Sequence, residues 1–144
     1  MRTFYFSTIF ILLTSCATKP LEVSQINFKA DACFGTCPIF TMTIMADGTA
    51  HYNAKMYNER QGEFSATIRK SQFDSLKILI EKASFFNLKN EYSTDWTDQP
   101  TYTVTVKLKN GQSKQIRDYG PSGPDKLRKV YDFIFSLRQS QKWK

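Results

Sequence analysis

Two stretches of the chain alternate between apolar and polar residues with the period of a β-strand. Residues 40–44 read FTMTI and residues 102–108 read YTVTVKL, so every second side chain is apolar. Such alternation is typical of a strand with one buried face and one exposed face. A turn sequence, Asp47-Gly48 or Asn110-Gly111, follows each stretch and leads into a second strand-like segment. The sequence therefore predicts two β-hairpins.

The first hairpin is predicted to turn through the three residues 46–48, with Gly48 in a left-handed conformation. This loop length pairs Ile44 with Ala50 and keeps the apolar face continuous across both strands. A two-residue turn would set polar residues opposite the apolar ones. The same loop length in the second hairpin places Val104 opposite Ile116.

Two further segments predict amphipathic helices. Ser71 is the expected N-cap of the first, with Asp74 three residues later in the capping-box position. Gly123-Pro124 opens the second, with proline at the first helical position, where it is favoured. Both segments carry an apolar stripe at helical spacing: Phe73, Leu76, Leu79, Ile80 and Ala83 in the first, and Leu127, Val130, Tyr131, Ile134 and Leu137 in the second.

Strand candidates at 26–29 and 63–68 complete the pattern. We expect an α+β fold, an antiparallel sheet of hairpins with two helices packed on one face. The segments that begin at Pro38 and at Pro100 both contain a proline, then a hairpin, then a helix. This likeness has two explanations: a tandem hairpin-helix repeat, or features that hairpins commonly share. In a repeat, Pro38 and Pro100 would begin equivalent strands. The loops before these prolines would then lie at the same end of the sheet.

The first residues predict a membrane anchor. Arg2 precedes an uncharged stretch, 4–13, and Leu13-Thr14-Ser15-Cys16 comes next. This arrangement resembles the lipobox of bacterial lipoproteins, in which the cysteine is lipidated and becomes the new N-terminus. About ten apolar residues fall short of the ~20 that an uncleaved anchor helix needs to span a bilayer. We therefore expect a signal peptide at 1–15, a lipidated tether at 16–24 and one domain at 25–144.

The residues after Cys16 predict how this lipoprotein is sorted. Cys16 is followed by Ala17 and not by the aspartate that would indicate retention in the inner membrane. The tether also lacks the acidic cluster that would indicate export to the cell surface. The expected location is the outer membrane, facing the periplasm.

Composition adds little about partners. Aromatic residues make up 15% of the chain, which indicates a packed domain rather than a disordered one. The net charge is +7, but the basic residues are scattered, with a modest concentration at Arg138, Lys142 and Lys144. A nucleic-acid binder would cluster them on one face. We expect a solvated basic surface and no nucleic-acid partner.

Cys33 and Cys37 are the first candidate site. Three intervening residues allow a disulfide, which an oxidising compartment favours. A thiol–disulfide redox site is the alternative, although such enzymes place their cysteines at the start of a helix. Cys-x-x-x-Cys-Pro also resembles the copper loop of Sco proteins, which adds a distant histidine. The only histidine, His51, is expected about 20 Å from Cys37 along the strands, too far to share an ion.

The second candidate site is the loop 89–100, the longest stretch without a periodic pattern. Its acidic and aromatic residues include Tyr92, Asp95, Trp96 and Asp98. Trp96 could stack on a sugar or on a partner's side chain, with the carboxylates accepting hydrogen bonds. Alternatively, Trp96 packs over the sheet as a lid. A glycan hydrolase would need two carboxylates held in a cleft.

The motifs also indicate a family. Cys33-Phe34-Gly35-Thr36-Cys37-Pro38, then Phe40, Asp47-Gly48 and Tyr52, followed later by Asp98 and Pro100, resemble domain-of-unknown-function family 6438 over residues 25–138. The resemblance implies a small bacterial envelope domain and no known activity, cofactor or catalytic residue.

The expected function is that of a membrane-anchored periplasmic lipoprotein that acts as a non-enzymatic binding module, with no cofactor or metal. Its partner would be an envelope protein or a cell-wall glycan. A thiol–disulfide redox protein using Cys33 and Cys37 is the first alternative, and a small glycan hydrolase is the second.

Overall fold

The alternating segments form strands of one sheet in the computed structural model, which describes residues 20–144. The predicted α+β fold is confirmed. The predicted signal peptide, the lipid attachment at Cys16 and the first part of the tether lie outside the described residues. The strands are β1 (Val23–Ala30), β2 (Phe40–Met45), β3 (Thr49–Ala54), β4 (Gly62–Thr67), β5 (Glu91–Tyr92), β6 (Thr101–Leu108) and β7 (Ser113–Tyr119), and the helices are α1 (Lys70–Lys82) and α2 (Asp125–Ser140).

The strand β1 lies at the centre of the sheet, whose order is β4-β3-β2-β1-β6-β7-β5. Neighbouring strands are antiparallel except β5, which pairs in parallel with β7. The two predicted hairpins, β2–β3 and β6–β7, flank β1 on opposite sides. An additional strand, β4, separates the first hairpin from α1, whereas α2 comes after β7 and a short loop. The two halves therefore share a hairpin and a helix but not the number of strands.

Both hairpins have the predicted register. Ile44 pairs with Ala50, and Val104 pairs with Ile116. Gly48 has a φ of 90°, in the left-handed region that the three-residue loop requires. A side chain at Gly48 would also collide with the backbone, because its Cβ would lie 2.8 Å from the carbonyl oxygen of Ile68.

The predicted start of α1 is wrong. The helix begins at Lys70 with Arg69 as its N-cap, and the side chain of Gln72 accepts a hydrogen bond from the Arg69 N–H at 3.0 Å. Glutamine three residues after the cap serves the capping box as well as an acidic residue does. Ser71 therefore lies inside the first turn, and Asp74 instead pairs with Lys70 at 2.6 Å.

The helix α2 begins at Asp125, one residue later than predicted, because Pro124 has an extended ψ of 149° and forms the N-cap. The predicted apolar stripe of α2 is confirmed, since all of its residues are buried. The stripe of α1 is also confirmed, with Leu79 only partly buried.

Both helices cover the same face of the sheet. Phe28 of β1 is fully buried at the centre of this face, and α2 crosses the strands beside it. Tyr131 packs on Phe28 and Tyr102, and Phe135 extends the contact to Phe40, with ring centroids 5.3–5.8 Å apart. The rings are tilted or edge-on, which is the favourable arrangement for aromatic pairs.

The opposite face of the sheet is polar. Side chains from neighbouring strands align in rows across it, and Asn27 of β1 donates to the Thr43 hydroxyl of β2 at 2.8 Å. The row through Asn27 contains His51, Thr43, Asn27, Thr105 and Gln115. One packed face and one polar face explain the period-two pattern of the sequence.

Candidate functional site

The two ends of the sheet differ in their connections. One end, here the turn end, carries the hairpin turns at 46–48 and 109–112 together with the first described residues, 20–22. The other, the loop end, carries the cysteine loop (31–39), the β3–β4 loop (55–61), the tryptophan loop (93–100) and residues 120–124. Among residues 20–144, four of the five exposed large apolar side chains lie at the loop end: Phe34, Met56, Tyr57 and Trp96.

The cysteine loop holds the loop end together. The predicted disulfide between Cys33 and Cys37 is confirmed, with Cα atoms 5.8 Å apart. On one side of this loop the Phe34 N–H donates to the carbonyl oxygen of Asp98 in the tryptophan loop at 3.1 Å. On its other side Ile39 exchanges backbone hydrogen bonds of 2.9–3.0 Å with the β3–β4 loop. The predicted proximity of the cysteine and tryptophan loops is thereby confirmed.

Trp96 projects from the tryptophan loop. Its side chain is 75% exposed, so the interpretation of Trp96 as a lid over the sheet is wrong. Phe34 is 86% exposed on the adjoining loop. Asp95 and Asp98 are exposed beside Trp96, and Asp98 has a φ of 66°, which aspartate tolerates better than most residues.

Tyr92 does not lie in the tryptophan loop with the other predicted binding residues. It belongs to β5, a short strand that the sequence pattern does not reveal, because two residues are too few to show alternation. Its ring is half-buried against the core, and its hydroxyl accepts a hydrogen bond from the Lys89 N–H at 3.1 Å. The neighbouring Glu91 forms an exposed ion pair with Arg117 at 2.9 Å.

The β3–β4 loop is fixed by Asn58. The Asn58 side-chain amide donates to the carbonyl oxygens of Ile39 and Met56, and its oxygen accepts from the Tyr52 hydroxyl and from Arg138 Nη1 at 2.8 and 3.0 Å. Arg138, predicted to belong to a solvated basic surface, is half-buried beneath this loop. That prediction is wrong because Arg138 lies near the end of α2, where the helix crosses β2.

A buried carboxylate supports residues 120–124. Asp118 is fully buried and accepts hydrogen bonds from the backbone N–H groups of Ser122 and Gly123 and from the Tyr131 hydroxyl at 2.8–3.2 Å. Burial, together with the negative charge of Asp118, raises the pKa of the Tyr131 phenol. The sequence-based prediction missed this cluster, although Asp118 lies two residues after Ile116 in the buried phase of β7, which is an unusual place for a charge.

A depression beside the tryptophan loop extends the loop end toward α2. It has a volume of about 440 Å³, and Gln99 and Pro100 line it together with Tyr102 and Tyr131. Burial, and secondarily the charge of Asp132, raises the pKa of Tyr102. Both phenols are protonated at neutral pH, and the Tyr131 hydroxyl donates to the Asp118 carboxylate at 3.1 Å.

The cysteines and the histidine are placed far apart, as predicted. His51 pairs with Thr43 in the middle of the polar face, whereas Cys37 precedes β2 at the loop end. Within residues 20–144, no group of three or more His, Cys, Asp or Glu side chains is placed to hold a metal ion. Cys37 leads into Pro38 and the strand β2 rather than into a helix, whose N-terminus would stabilise a thiolate.

The part of the chain that the structure describes contains no helix long and apolar enough to cross a membrane. Residues 24–138 match the family described as Domain of unknown function (DUF6438), and the chain belongs to that family. The predicted resemblance is thus confirmed for the domain. No curated protein matches the chain.

Proposed function

We propose that this DUF6438 chain is a lipid-anchored binding module of a bacterial cell envelope, and that it holds an envelope protein through Phe34 and Trp96. The observation that carries the proposal is the exposure of these two aromatic side chains, 86% and 75%, on two loops joined by a backbone hydrogen bond. Large apolar side chains that cluster at one exposed place mark interaction surfaces. Tryptophan is also enriched among the residues that contribute most binding energy at protein interfaces.

The loops that carry these side chains are held in place before any partner binds. The Cys33–Cys37 bond closes the cysteine loop, and the hydrogen bond from Phe34 to Asp98 ties it to the tryptophan loop. A surface fixed in this way loses little conformational entropy on binding. This supports a binding role for the loop end.

The position of the first described residues supports the same role. Pro20 lies at the turn end, and at most about 14 Å of extended chain separates it from Cys16. The strand β1 has 8 residues and rises about 26 Å from the turn end to the loop end. A lipid on Cys16 would therefore hold the turn end near the membrane and direct Phe34 and Trp96 away from it.

Among the two predicted partner classes, the exposed side chains favour a protein. Phe34 presents an apolar ring without a polar group, which suits a protein pocket, and Trp96 has carboxylates at Asp95 and Asp98 beside it. The basic surface of a partner would complement these carboxylates. A cell-wall glycan remains the alternative outcome of the test.

The test uses the full chain in the membranes of the bacterium that produces it, with a photo-crosslinking residue in place of the exposed Thr36. A partner protein should crosslink to the parent chain, and Phe34→Ala or Trp96→Ala should reduce the yield at least about tenfold, the equivalent of 1.4 kcal/mol. Ile78→Ala is the matched control, because Ile78 is 48% exposed but lies on α1. Equal yields from all three variants would refute the role of the loop end. If the parent chain co-sediments with cell-wall glycan and Trp96→Ala does not, the partner is a glycan and not a protein.

The anchor is tested separately. Cys16→Ser should release the chain from the membrane fraction, while intact mass of the parent chain should show acyl groups on a mature N-terminus at Cys16. Retention of Cys16→Ser in the membrane would refute the anchor and leave the role of Trp96 untouched.

A further inference from the structure

A pocket with two arginines lies between the end of α2 and the β3–β4 loop. Its volume is about 300 Å³, at the lower end of the range for ligand sites. None of its lining residues belongs to the cysteine loop or the tryptophan loop, so it is separate from the surface around Trp96. The rings of Tyr52, Tyr57, Phe64 and Trp143 form its walls, with Arg60 and Arg138.

Arg138 contributes a guanidinium group that forms no ion pair among residues 20–144. Its Nη1 donates to the neutral side chain of Asn58 at 3.0 Å, and its guanidinium carbon lies 5.4 Å from the centroid of the Phe40 ring. Its Nε is buried and has no hydrogen-bond acceptor among residues 20–144. Stacking on an aromatic ring stabilises such a cation only in part. Its charge therefore remains available to an anion that enters the pocket.

Arg60 adds a second positive charge. Its Nη2 donates to the carbonyl oxygen of Trp143 at 3.0 Å, and its guanidinium carbon lies 4.6 Å from the centroid of the Phe64 ring. Glu59 also lines the pocket, but the ion pairs in the part of the chain that the structure describes include neither Glu59 nor the two arginines. Two arginines and one glutamate give the pocket a net positive charge.

The walls of the pocket are held in place from several sides. The Trp143 indole N–H donates to the carbonyl oxygen of Arg138 at 2.8 Å, and the Trp143 ring packs on Tyr52 with centroids 5.0 Å apart. The next residue, Lys144, exchanges backbone hydrogen bonds with Ser65 of β4. The arginines are thus oriented without a ligand, which lowers the entropy lost on binding.

We propose that this pocket binds a carboxylate carried on a body with one flat apolar side, the size of a single sugar or amino-acid residue. The planar guanidinium group matches a carboxylate through paired charge-assisted hydrogen bonds. The aromatic walls would contact the apolar side of the ligand, and the volume admits only a small group. The free end of a peptide and an acidic sugar supply the same chemistry.

The test is isothermal titration calorimetry on the full chain in detergent. Two acids serve as probes, N-acetyl-dialanine and D-glucuronic acid, each compared with a neutral counterpart, the peptide amide or D-glucose. We expect saturable binding of at least one acid and binding at least about tenfold weaker for its counterpart, because the counterpart lacks the charge that strengthens a hydrogen bond to the guanidinium group. The acid that binds identifies the source. Equal binding of acid and counterpart, or no saturation by either acid below about 10 mM, would overturn the proposal.

Variants locate the binding to the pocket. Arg60→Gln should weaken binding of the acid about tenfold, and Arg138→Gln should weaken it further. Because Arg138 also holds Asn58, the melting temperature of its variant is measured first, and Arg60→Gln provides the test should the Arg138 variant unfold. Arg128→Gln is the matched control on the same helix, since the Arg128 side chain does not line the pocket and, within residues 20–144, donates a hydrogen bond only to the carbonyl oxygen of Pro121. Unchanged affinity in Arg60→Gln would overturn the proposal.

Discussion

The turn end and the loop end of the sheet are organised by different interactions. At the turn end, short hairpin turns close through hydrogen bonds between residues near in sequence, such as the Thr49 N–H with the Asp47 carboxylate at 2.8 Å. At the loop end, contacts join segments far apart in the chain, such as Phe34 with Asp98. Among residues 20–144, the exposed aromatic residues lie at the loop end. The hairpin turns are therefore closed by local hydrogen bonds, whereas contacts between distant segments position the two loops that we assign to binding.

The largest expected loss of stability comes from substituting Asp118, which is buried beside residues 120–124 at the loop end. Asp118→Ala leaves the N–H groups of Ser122 and Gly123 and the Tyr131 hydroxyl without their acceptor, so the free energy of unfolding should fall by at least about 3 kcal/mol. Urea denaturation measures the loss. Glu91→Ala, which removes an exposed ion pair at the same edge of the sheet, is the control and should cost no more than about 1 kcal/mol. Equal losses would mean that Asp118 does not organise residues 120–124.

A matched pair of glycines tests the turn end. Gly48 and Gly111 have φ angles of 90° and 88°, but an added Cβ meets a backbone oxygen only at Gly48. Gly111→Ala should cost about 1 kcal/mol from backbone strain, and Gly48→Ala should cost clearly more, about 2–3 kcal/mol. Thermal or urea unfolding compares the two. A larger loss at Gly111 would contradict the contact with Ile68.

Reduction of the Cys33–Cys37 bond tests whether the loop end depends on it. Because the closed loop is short, reduction should lower the free energy of unfolding by about 2 kcal/mol. Because Cys37 leads into a strand and not into a helix that would stabilise a thiolate, the redox midpoint should lie below about −300 mV. Alkylation and intact mass measure it. The double variant Cys33→Ser/Cys37→Ser is the control, and its stability should not respond to reductant. A midpoint between about −120 and −270 mV would favour the thiol–disulfide redox alternative.

The smallest expected change in the free energy of unfolding is that of Trp96→Ala, which we compare with Trp143→Ala. Trp96→Ala should change the free energy of unfolding by less than about 0.5 kcal/mol, because the side chain is mostly in solvent. Trp143→Ala should cost about 2 kcal/mol, since its ring packs on Tyr52 and its indole N–H is hydrogen-bonded. Tryptophan fluorescence during urea unfolding compares the variants. Destabilisation by Trp96→Ala of the size expected for Trp143 would restore the lid interpretation.

Most of the fold could be predicted from the sequence, since alternation and turn residues act locally. The pairings of Ile44 with Ala50 and of Val104 with Ile116 result from side-chain phase and loop length. The start of α1 could not be placed correctly, because Ser71 and Arg69 each stand three residues before a side chain able to complete a capping box.

The candidate site could be predicted only in part. The disulfide could be predicted from the spacing of its cysteines, and the proximity of the cysteine and tryptophan loops from the equivalent positions of Pro38 and Pro100. The orientation of Trp96 could not be predicted, since the loop sequence is compatible both with an exposed ring and with a ring packed over the sheet. The pocket that contains Arg138 could not be predicted either, because it forms where α2 crosses β2 and no local sequence pattern indicates that crossing. Asp118 offered a usable signal, a charge in the buried phase of a strand.

The edges of the sheet bear on how copies of this chain behave when crowded. Unpaired strand edges invite backbone pairing between molecules and so lead to polymerisation. Here Lys144 occupies both backbone groups of Ser65 on the outer side of β4, with hydrogen bonds of 2.9 and 3.0 Å. The opposite edge is β5, with only 2 residues. If many copies stand side by side on a membrane, as the proposed anchor implies, these contacts occupy part of the backbone that fibre growth would need.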